Sequence, residues 1–261
     1  MSDFVSSELK EFYETGYILI PNVYSTALIS EIKNEFYQRE AEFVEIQKKQ
    51  GIYESVVDAT HHSLILCRKM LRLLEESRLT DFLNEFFHGE HYILNTMGLS
   101  KVRPFSKVYT QTIHRDIRSF QGATSLWINT LIMLDDSTSS NGATWVMPGS
   151  EKLEKKPSDS EFWASAKQIK GNCGDVLIFH GGLWHCAGEN RTDETRHIIT
   201  PFFSRPFIKQ QLDYPKAFGD DFGRICSSHM RQILGYNARV PISLEDFYQH
   251  DEYRFYKKDQ G

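Results

Sequence analysis

Short apolar or alternating runs, separated by turn residues, fill the middle of the chain from Tyr92 to Phe203. These runs are rich in β-branched and aromatic residues, which favour strands, and they lie near YILNTM, SKVYTQTIH, SLWINTLIMLD, TWVMP, AKQIK, DVLIFHG and RHIITPFFS. The mixed-charge segment EKLEKKPSDSE at 151–161 is expected to be a solvated connection. The pattern predicts an all-β core, and it fits a jelly roll and an immunoglobulin-type sandwich equally well.

Helical patterns precede this core. A short helix is predicted from Ser6, a strand from Gly16 to Val23, and a long helix from Ser25 to Gln47 whose apolar residues recur at three- and four-residue steps. LRLLEESRLTDFLNEFF at 71–87 predicts two further short helices. At 261 residues we expect one domain over 1–261, with a mostly helical bracing region at 1–91, the β core at 92–204 and a C-terminal extension at 205–261.

Composition limits the classes of partner. The formal net charge of -5 argues against nucleic acid or an anionic membrane surface as the main partner. The four cysteines lack a C-x-x-C spacing, so a reducing, cytoplasmic location is expected. The first residues show no signal peptide, and no segment approaches the roughly 18 to 20 apolar residues that span a bilayer.

A histidine and a carboxylate lie two residues apart in QTIHRD, at the end of the run KVYTQT, which is predicted to be a strand. Residues two apart share one face of a strand, so His114 and Asp116 can point at one metal ion. Such a triplet is common by chance. A metal site needs a third ligand.

His185 is the third ligand that the sequence favours. It lies where the apolar strand DVLIFHG and Trp184 give way to the turn residues GEN, whereas His180 is expected to pack or bond to backbone and His197 to point to the opposite face of its strand. Two histidines and one aspartate on one side of an octahedron leave three positions open, which suits non-haem Fe(II) better than structural zinc.

Arg196 adds an anion site to this set. If GENRTDE is a hairpin turn, the strand RHIITPFF runs back beside the one that ends in His185, about 5 to 10 Å away. An arginine fork holds a carboxylate with two parallel hydrogen bonds. The metal can then chelate the other end of a five-carbon diacid, and the diacid that this suggests is 2-oxoglutarate.

The motifs HRD at 114–116, NGATWVMPGS at 141–150 and LWHCAGEN at 183–190, with Arg196 eleven residues past His185, resemble the phytanoyl-CoA dioxygenase family of Fe(II)- and 2-oxoglutarate-dependent oxygenases. GYILIPNVYS resembles the opening strand of that family. The resemblance implies a chain that is mainly β with flanking helices, around a double-stranded β-helix, the cupin-like jelly roll.

The resemblance also implies roles for single residues. His114, Asp116 and His185 are the expected iron ligands and catalytic residues, and Arg196 is the expected 2-oxoglutarate anchor. Thr144, Asn129 and, more weakly, Thr112 are expected to contact the co-substrate. The implied reaction consumes O2 and 2-oxoglutarate, releases succinate and CO2, and hydroxylates, desaturates or similarly oxidises a small molecule, such as a secondary metabolite.

Two other functions are compatible with the same residues. One is a zinc hydrolase that uses the triad, which leaves Arg196 unexplained, and the other is a catalytically silent jelly roll that binds a small molecule. Trp127, Leu131 and Met133 share a strand face with Asn129 and can line an apolar cage or simply pack in the core. The sequence leaves the substrate and the oligomeric state, monomer or homodimer, open.

Overall fold

The computed structural model describes residues 6–56, 58–107, 109–117, 119–120, 124 and 126–254. The chain opens with helix α1 (Ser7–Thr15), strand β1 (Tyr17–Ile20) and helix α2 (Thr26–Lys49), which confirms the order predicted from the sequence. The side chains of Ser6 and Ser25 cap the two helices by accepting backbone N–H groups three residues on. The predicted apolar stripe of α2 is buried at Ile29, Ile32 and Phe36.

The other helices follow α2 in three groups along the chain: α3 (Tyr53–Val56) and α4 (Ser77–Phe86), then α5 (Asp159–Ser165), then α6 (Tyr214–Phe218), α7 (Asp220–Ile225), α8 (Ser228–Ile233) and α9 (Leu244–Phe247). Short 3-10 helices lie at Ser63–Ile65, Arg68–Glu75, Tyr109–Gln111, Ser150–Lys152 and Tyr236–Ala238. No described helix has the length and apolar character needed to cross a membrane.

Two antiparallel sheets carry the strands. The larger has the order β1-β7-β4-β9-β3-β2 and contains β2 (Ala59–His61), β3 (Ile93–Val102), β4 (Trp127–Met133), β7 (Val176–His180) and β9 (Arg196–Ser204). The smaller has the order β6-β5-β8 and contains β5 (Trp145–Val146), β6 (Lys167–Gln168) and β8 (His185–Cys186). The structure is therefore a mixture of helices and antiparallel sheets, and the prediction of a mainly β chain was only partly right.

The two faces of the larger sheet bury different residues. On β4, Ile128 and Ile132 belong to the large core shared with the helices, which includes Phe12 and Phe36. Leu131 and Met133, on the opposite face of β4, pack in a second cluster that joins the two sheets. Because both faces of β4 are covered, it is a rigid support for the side chains that it presents to the site.

The segment before His114 differs from its prediction. Instead of a strand over SKVYTQTIH, residues Tyr109–Gln111 form a 3-10 turn, and His114 makes a single isolated bridge to His185; Val108 lies outside the described residues. The backbone of Thr110 bonds to Ala187, so the segment follows β8 closely without joining a sheet. Strand propensity was outweighed here by these non-local backbone contacts.

The solvated connection predicted at 151–161 is more structured than expected. Glu151 is buried within a 3-10 turn, and burial raises the pKa of its carboxyl. Ser158 and Glu161 form a capping box that starts α5. Only the middle of the segment matches the prediction.

Candidate active site

His114 and His185 face each other across one antiparallel bridge. The N–H of each donates to the carbonyl of the other, at 3.0 Å from His114 N and 2.9 Å from His185 N. Directly opposed residues project their side chains to the same side, and the two imidazole centroids lie 4.3 Å apart. The backbone therefore fixes both rings as a pair.

Hydrogen bonds to backbone carbonyls select one tautomer of each neutral ring. His114 Nδ1 lies 2.7 Å from the Thr112 carbonyl oxygen, and His185 Nδ1 lies 2.9 Å from that of Leu183. A carbonyl oxygen only accepts, so each Nδ1 carries the hydrogen and donates it. In the neutral rings this leaves each Nε2 with a free lone pair, the form in which histidine binds a metal.

Asp116 completes a three-residue cluster. Its Oδ1 lies 3.6 Å from His114 Nε2 and its Oδ2 lies 3.6 Å from His185 Nε2. One potential ligand atom from each of the three residues lies within 4.8 Å of the others. Two imidazole nitrogens and one carboxylate on one side of a point suit a divalent transition metal with open positions.

The electrostatics of the cluster favour the ionised form of Asp116. Burial opposes ionisation of Asp116, but the neighbouring His185 and His114 outweigh it and lower the pKa of the carboxyl. Burial lowers the pKa of His185. Burial also opposes the charged form of His114, yet the hydrogen bond and charge of Asp116 leave its pKa raised. The carboxylate is thus the preferred anionic ligand of the set.

Arg196 is almost fully buried, at 1% exposure. Its Nε and one terminal nitrogen donate to the carbonyls of Asn141 and Gly142, at 3.2 and 2.5 Å, and the other terminal nitrogen lies 3.4 Å from Ser137 Oγ. Burial lowers the pKa of this guanidinium to about 10, which leaves it charged at neutral pH. Within the described residues no carboxylate forms an ion pair with Arg196.

The position of Arg196 corrects the strand argument made from the sequence. β9 lies between β4 and β3 in the larger sheet, whereas β8, which carries His185, belongs to the smaller one, so the two strands are not neighbours. Arg196 and His185 instead reach a common cavity from the two sheets. Both side chains line one cavity because the two sheets, rather than adjacent strands, form its walls.

This cavity has a volume of about 820 Å³ and is lined by the whole triad, Arg196 and Thr144. Thr112 does not line it: the residue is exposed and supplies its carbonyl to His114. Asn129 does not line it either and is 0% exposed. Of the strand face proposed as a cage, Trp127 and Leu131 line the cavity, whereas Met133 packs in the inter-sheet cluster.

His180 and His197 lie as predicted. His180 Nδ1 accepts the backbone N–H of Gly182, and burial lowers the pKa of the ring to about 4. His197 points away from the triad and bonds to Asp135 and Tyr37. Neither imidazole lines the cavity.

The floor of the cavity was not predicted from the sequence. On β3, the alternate residues Thr96, Gly98 and Ser100 line it, and Thr200 of β9 lies opposite Gly98. The run TMGLS carries small or polar residues at every second position, which is the signal for a strand face that leaves space. That signal does not by itself distinguish a cavity from an exposed sheet face.

Known proteins that are similar to the chain include dioxygenases. The family model described as phytanoyl-CoA dioxygenase (PhyH) matches residues 12–198. An uncharacterised protein of Mycobacterium tuberculosis is 32% identical over 172 residues, which cover 65% of this chain and 63% of that protein. An iron/alpha-ketoglutarate-dependent dioxygenase of Aspergillus calidoustus, ausU, is 33% identical over 160 residues, 58% of this chain and 52% of that protein. The matches thus span between about half and two thirds of these relatives.

The fold is shared with a solved structure. The non-heme alpha ketoglutarate dependent epimerase SnoN from nogalamycin biosynthesis superposes with a TM-score of 0.60 at 19% sequence identity, covering 76% of this chain and 81% of that one. The same epimerase in complex with Fe3+, alpha ketoglutarate and nogalamycin RO gives a TM-score of 0.59 at 18% identity, covering 76% and 82%. At this identity the likeness concerns the fold.

Proposed function

The chain belongs to the phytanoyl-CoA dioxygenase family, and on that premise we propose that it is an Fe(II)- and 2-oxoglutarate-dependent oxygenase of a small molecule. We assign the iron to His114, Asp116 and His185, and the distal carboxylate of 2-oxoglutarate to Arg196. The described sheets are proposed to form the two layers of a double-stranded β-helix within one domain over 1–261.

One observation carries this proposal: a buried guanidinium that forms no ion pair with any described carboxylate lines the same cavity as the His-Asp-His cluster. A buried charge is costly unless an opposite charge meets it. Asp135 favours the charged form of Arg196 from a distance, but no described carboxylate forms an ion pair with it, so a bound anion is the natural direct partner. A carboxylate matches the planar fork of arginine.

The donor set fits Fe(II) by its chemistry. In the neutral rings both Nε2 lone pairs are free, because the carbonyls of Thr112 and Leu183 hold the hydrogens on Nδ1, and Asp116 favours its ionised form. Three protein ligands leave room for a chelating co-substrate and O2. When bound, iron would activate O2, the oxidant that is consumed as 2-oxoglutarate is converted to succinate and CO2 and the substrate is oxidised.

The protein itself positions the reactants and excludes water. Arg196 is held by two backbone carbonyls, so its fork is oriented before any ligand arrives. Thr144, buried and lining the cavity, offers a hydroxyl beside the co-substrate. Leu131, Phe179 and Ile198 form apolar walls that keep bulk water from the reacting atoms.

The cavity also has room for a second molecule. Its volume of about 820 Å³ is in the upper part of the range typical of small-molecule sites. The floor of the cavity carries the hydroxyls of Thr96, Ser100 and Thr200 beside apolar groups. We propose a small, partly apolar substrate, such as a secondary metabolite, that is hydroxylated, desaturated or similarly oxidised; biosynthesis is the context that the name of the solved epimerase gives for that protein.

The test is O2-dependent formation of succinate from 2-oxoglutarate by the purified protein with Fe(II). We expect turnover that His114→Ala or Asp116→Ala lowers at least about 100-fold, because each removes one ligand. His250→Ala, which removes an exposed imidazole, serves as the control and should leave turnover unchanged.

Two results would contradict the proposal. Zinc-dependent hydrolysis that is indifferent to oxygen would indicate the hydrolase instead. Binding of 2-oxoglutarate with no succinate formed, with any metabolite pool tested, would indicate a silent binding protein.

A further inference from the structure

Asp116 is the one member of the proposed triad that lies on irregular backbone. His114 and His185 hold each other through their reciprocal backbone bridge, and each ring is fixed by a carbonyl. Asp116 lies in the loop that follows His114 and has no strand pairing of its own. Something else must fix the direction of its carboxylate.

Asn129 makes that contact. Its side-chain Nδ2 donates to Asp116 Oδ2 at 2.5 Å, and apart from the two histidines no other described side chain bonds to this carboxylate. Asn129 is 0% exposed and lies on β4, an interior strand, with backbone partners Phe179 on β7 and Phe202 on β9. An interior strand of the larger sheet thus anchors the loop-borne Asp116.

A hydrogen bond from Trp127 fixes the orientation of the Asn129 side-chain amide. The indole Nε1–H of Trp127 donates to Asn129 Oδ1 at 2.5 Å. An indole nitrogen only donates, so the amide must present its oxygen to Trp127 and its NH2 to Asp116. The indole ring itself lines the cavity, so the chain of contacts runs from the cavity wall to the ligand.

We infer that Asn129 is a positioning residue for Asp116, oriented by Trp127, and not a contact of 2-oxoglutarate. The inference rests on the proposed function, because it takes Asp116 to be a metal ligand. It revises the expectation from the sequence, which grouped Asn129 with the co-substrate residues. The buried amide of Asn129 is hydrogen-bonded to Asp116 and Trp127, and Asn129 does not line the cavity.

Mn(II) affinity, measured by calorimetry without turnover, tests this inference. Asn129→Ala should raise the dissociation constant for Mn(II) about 10- to 100-fold, the usual effect of losing a partner of a metal ligand. Trp127→Phe keeps most of the ring but loses the N–H, and should raise the constant about 2- to 10-fold. The absorption bands of Co(II) bound to both variants should also shift, because the ligand geometry changes.

Asn95→Ala is the matched control. Asn95 is also 0% exposed, on β3 of the same sheet, but it donates to Ser204 and to the Lys209 carbonyl. It should lose stability without a change in Mn(II) affinity. If Asn129→Ala does not fold, Trp127→Phe decides the matter by the same measurement.

The two roles for Asn129 predict opposite results. If Asn129 is a positioning residue, its replacement weakens Mn(II) binding and leaves the KM for 2-oxoglutarate unchanged at saturating metal. Unchanged Mn(II) affinity with a raised KM for 2-oxoglutarate would overturn the inference and restore a co-substrate contact. Failure of the unmodified protein to bind Mn(II) would overturn the proposed function, and the inference with it.

Discussion

Replacing Arg196 should separate binding of the co-substrate from binding of the metal. Arg196→Met keeps a long side chain but removes the charge and the donors. A hydrogen bond to a charged group contributes about 1.5–3 kcal/mol, and about 1.4 kcal/mol corresponds to a tenfold change in affinity. We therefore expect the KM for 2-oxoglutarate to rise about 10- to 150-fold, with Mn(II) affinity unchanged because the triad is intact.

The KM for 2-oxoglutarate of Arg196→Lys should lie between the values of the unmodified protein and of Arg196→Met. Lysine retains the charge but lacks the fork, and it cannot serve the carbonyls of Asn141 and Gly142 together with a carboxylate. Arg205→Met is the control, because Arg205 follows the same strand, pairs with Glu90 and lies over Phe87 away from the cavity. Its KM for 2-oxoglutarate should match that of the unmodified protein.

Thermal or chemical unfolding with Mn(II) and 2-oxoglutarate gives a second readout. A ligand at 100 times its dissociation constant stabilises the folded state by about 2.7 kcal/mol. At the same concentration, a variant with 100-fold weaker binding gains only about 0.4 kcal/mol. A KM within twofold of the unmodified value in Arg196→Met, with full stabilisation by 2-oxoglutarate, would refute the assignment of Arg196.

Two predictions concern the fold. Burial opposes ionisation of Asp135, but His197 and Lys33 outweigh it and lower the pKa of the carboxyl to about 2. The contribution of Asp135 to the free energy of unfolding should therefore be complete above pH ~4 and be lost as the pH falls towards 2. Urea unfolding should show Asp135→Asn less stable by about 1–2 kcal/mol at pH 7, with a smaller difference at pH 2.5; an equal difference at both pH values would contradict this. Gly174 has φ +91°, and a Cβ there would lie 2.1 Å from the Tyr24 carbonyl oxygen, so Gly174→Ala should cost more than about 3 kcal/mol. Gly149→Ala, at φ +74° in open space, should cost only about 1–2 kcal/mol, and equal losses would show that the clash is unimportant.

Periodicity predicted the elements whose burial is regular. The apolar residues of α2 recur at helical spacing, and β4, β7 and β9 are runs of apolar residues bounded by turns, so each was found at nearly its observed bounds. The two-residue strands β5 and β6 fall within the predicted runs TWVMP and AKQIK, whereas the two-residue β8 and the three-residue β2 were missed. Their pairing depends on partners far away in the sequence.

The candidate site was predictable in its members but not in its arrangement. His114, Asp116, His185 and Arg196 carry recognisable chemistry, and the structure brings all four to one cavity. Their division between two sheets, and the contact of Asn129 with Asp116, depend on non-local pairing that residue spacing does not encode. Motif resemblance suggested that Asn129 contacts the co-substrate, and the bonds of its side chain to Asp116 and Trp127 are the basis of the positioning role that we infer instead.

Anomalous diffraction from crystals grown without oxygen, with Fe(II) and 2-oxoglutarate, tests the central claim most directly. We predict one iron peak within bonding distance of His114 Nε2, His185 Nε2 and the Asp116 carboxylate, with the free carboxylate of 2-oxoglutarate on the guanidinium of Arg196. Iron bound elsewhere, or 2-oxoglutarate bound without contact to Arg196, would contradict it.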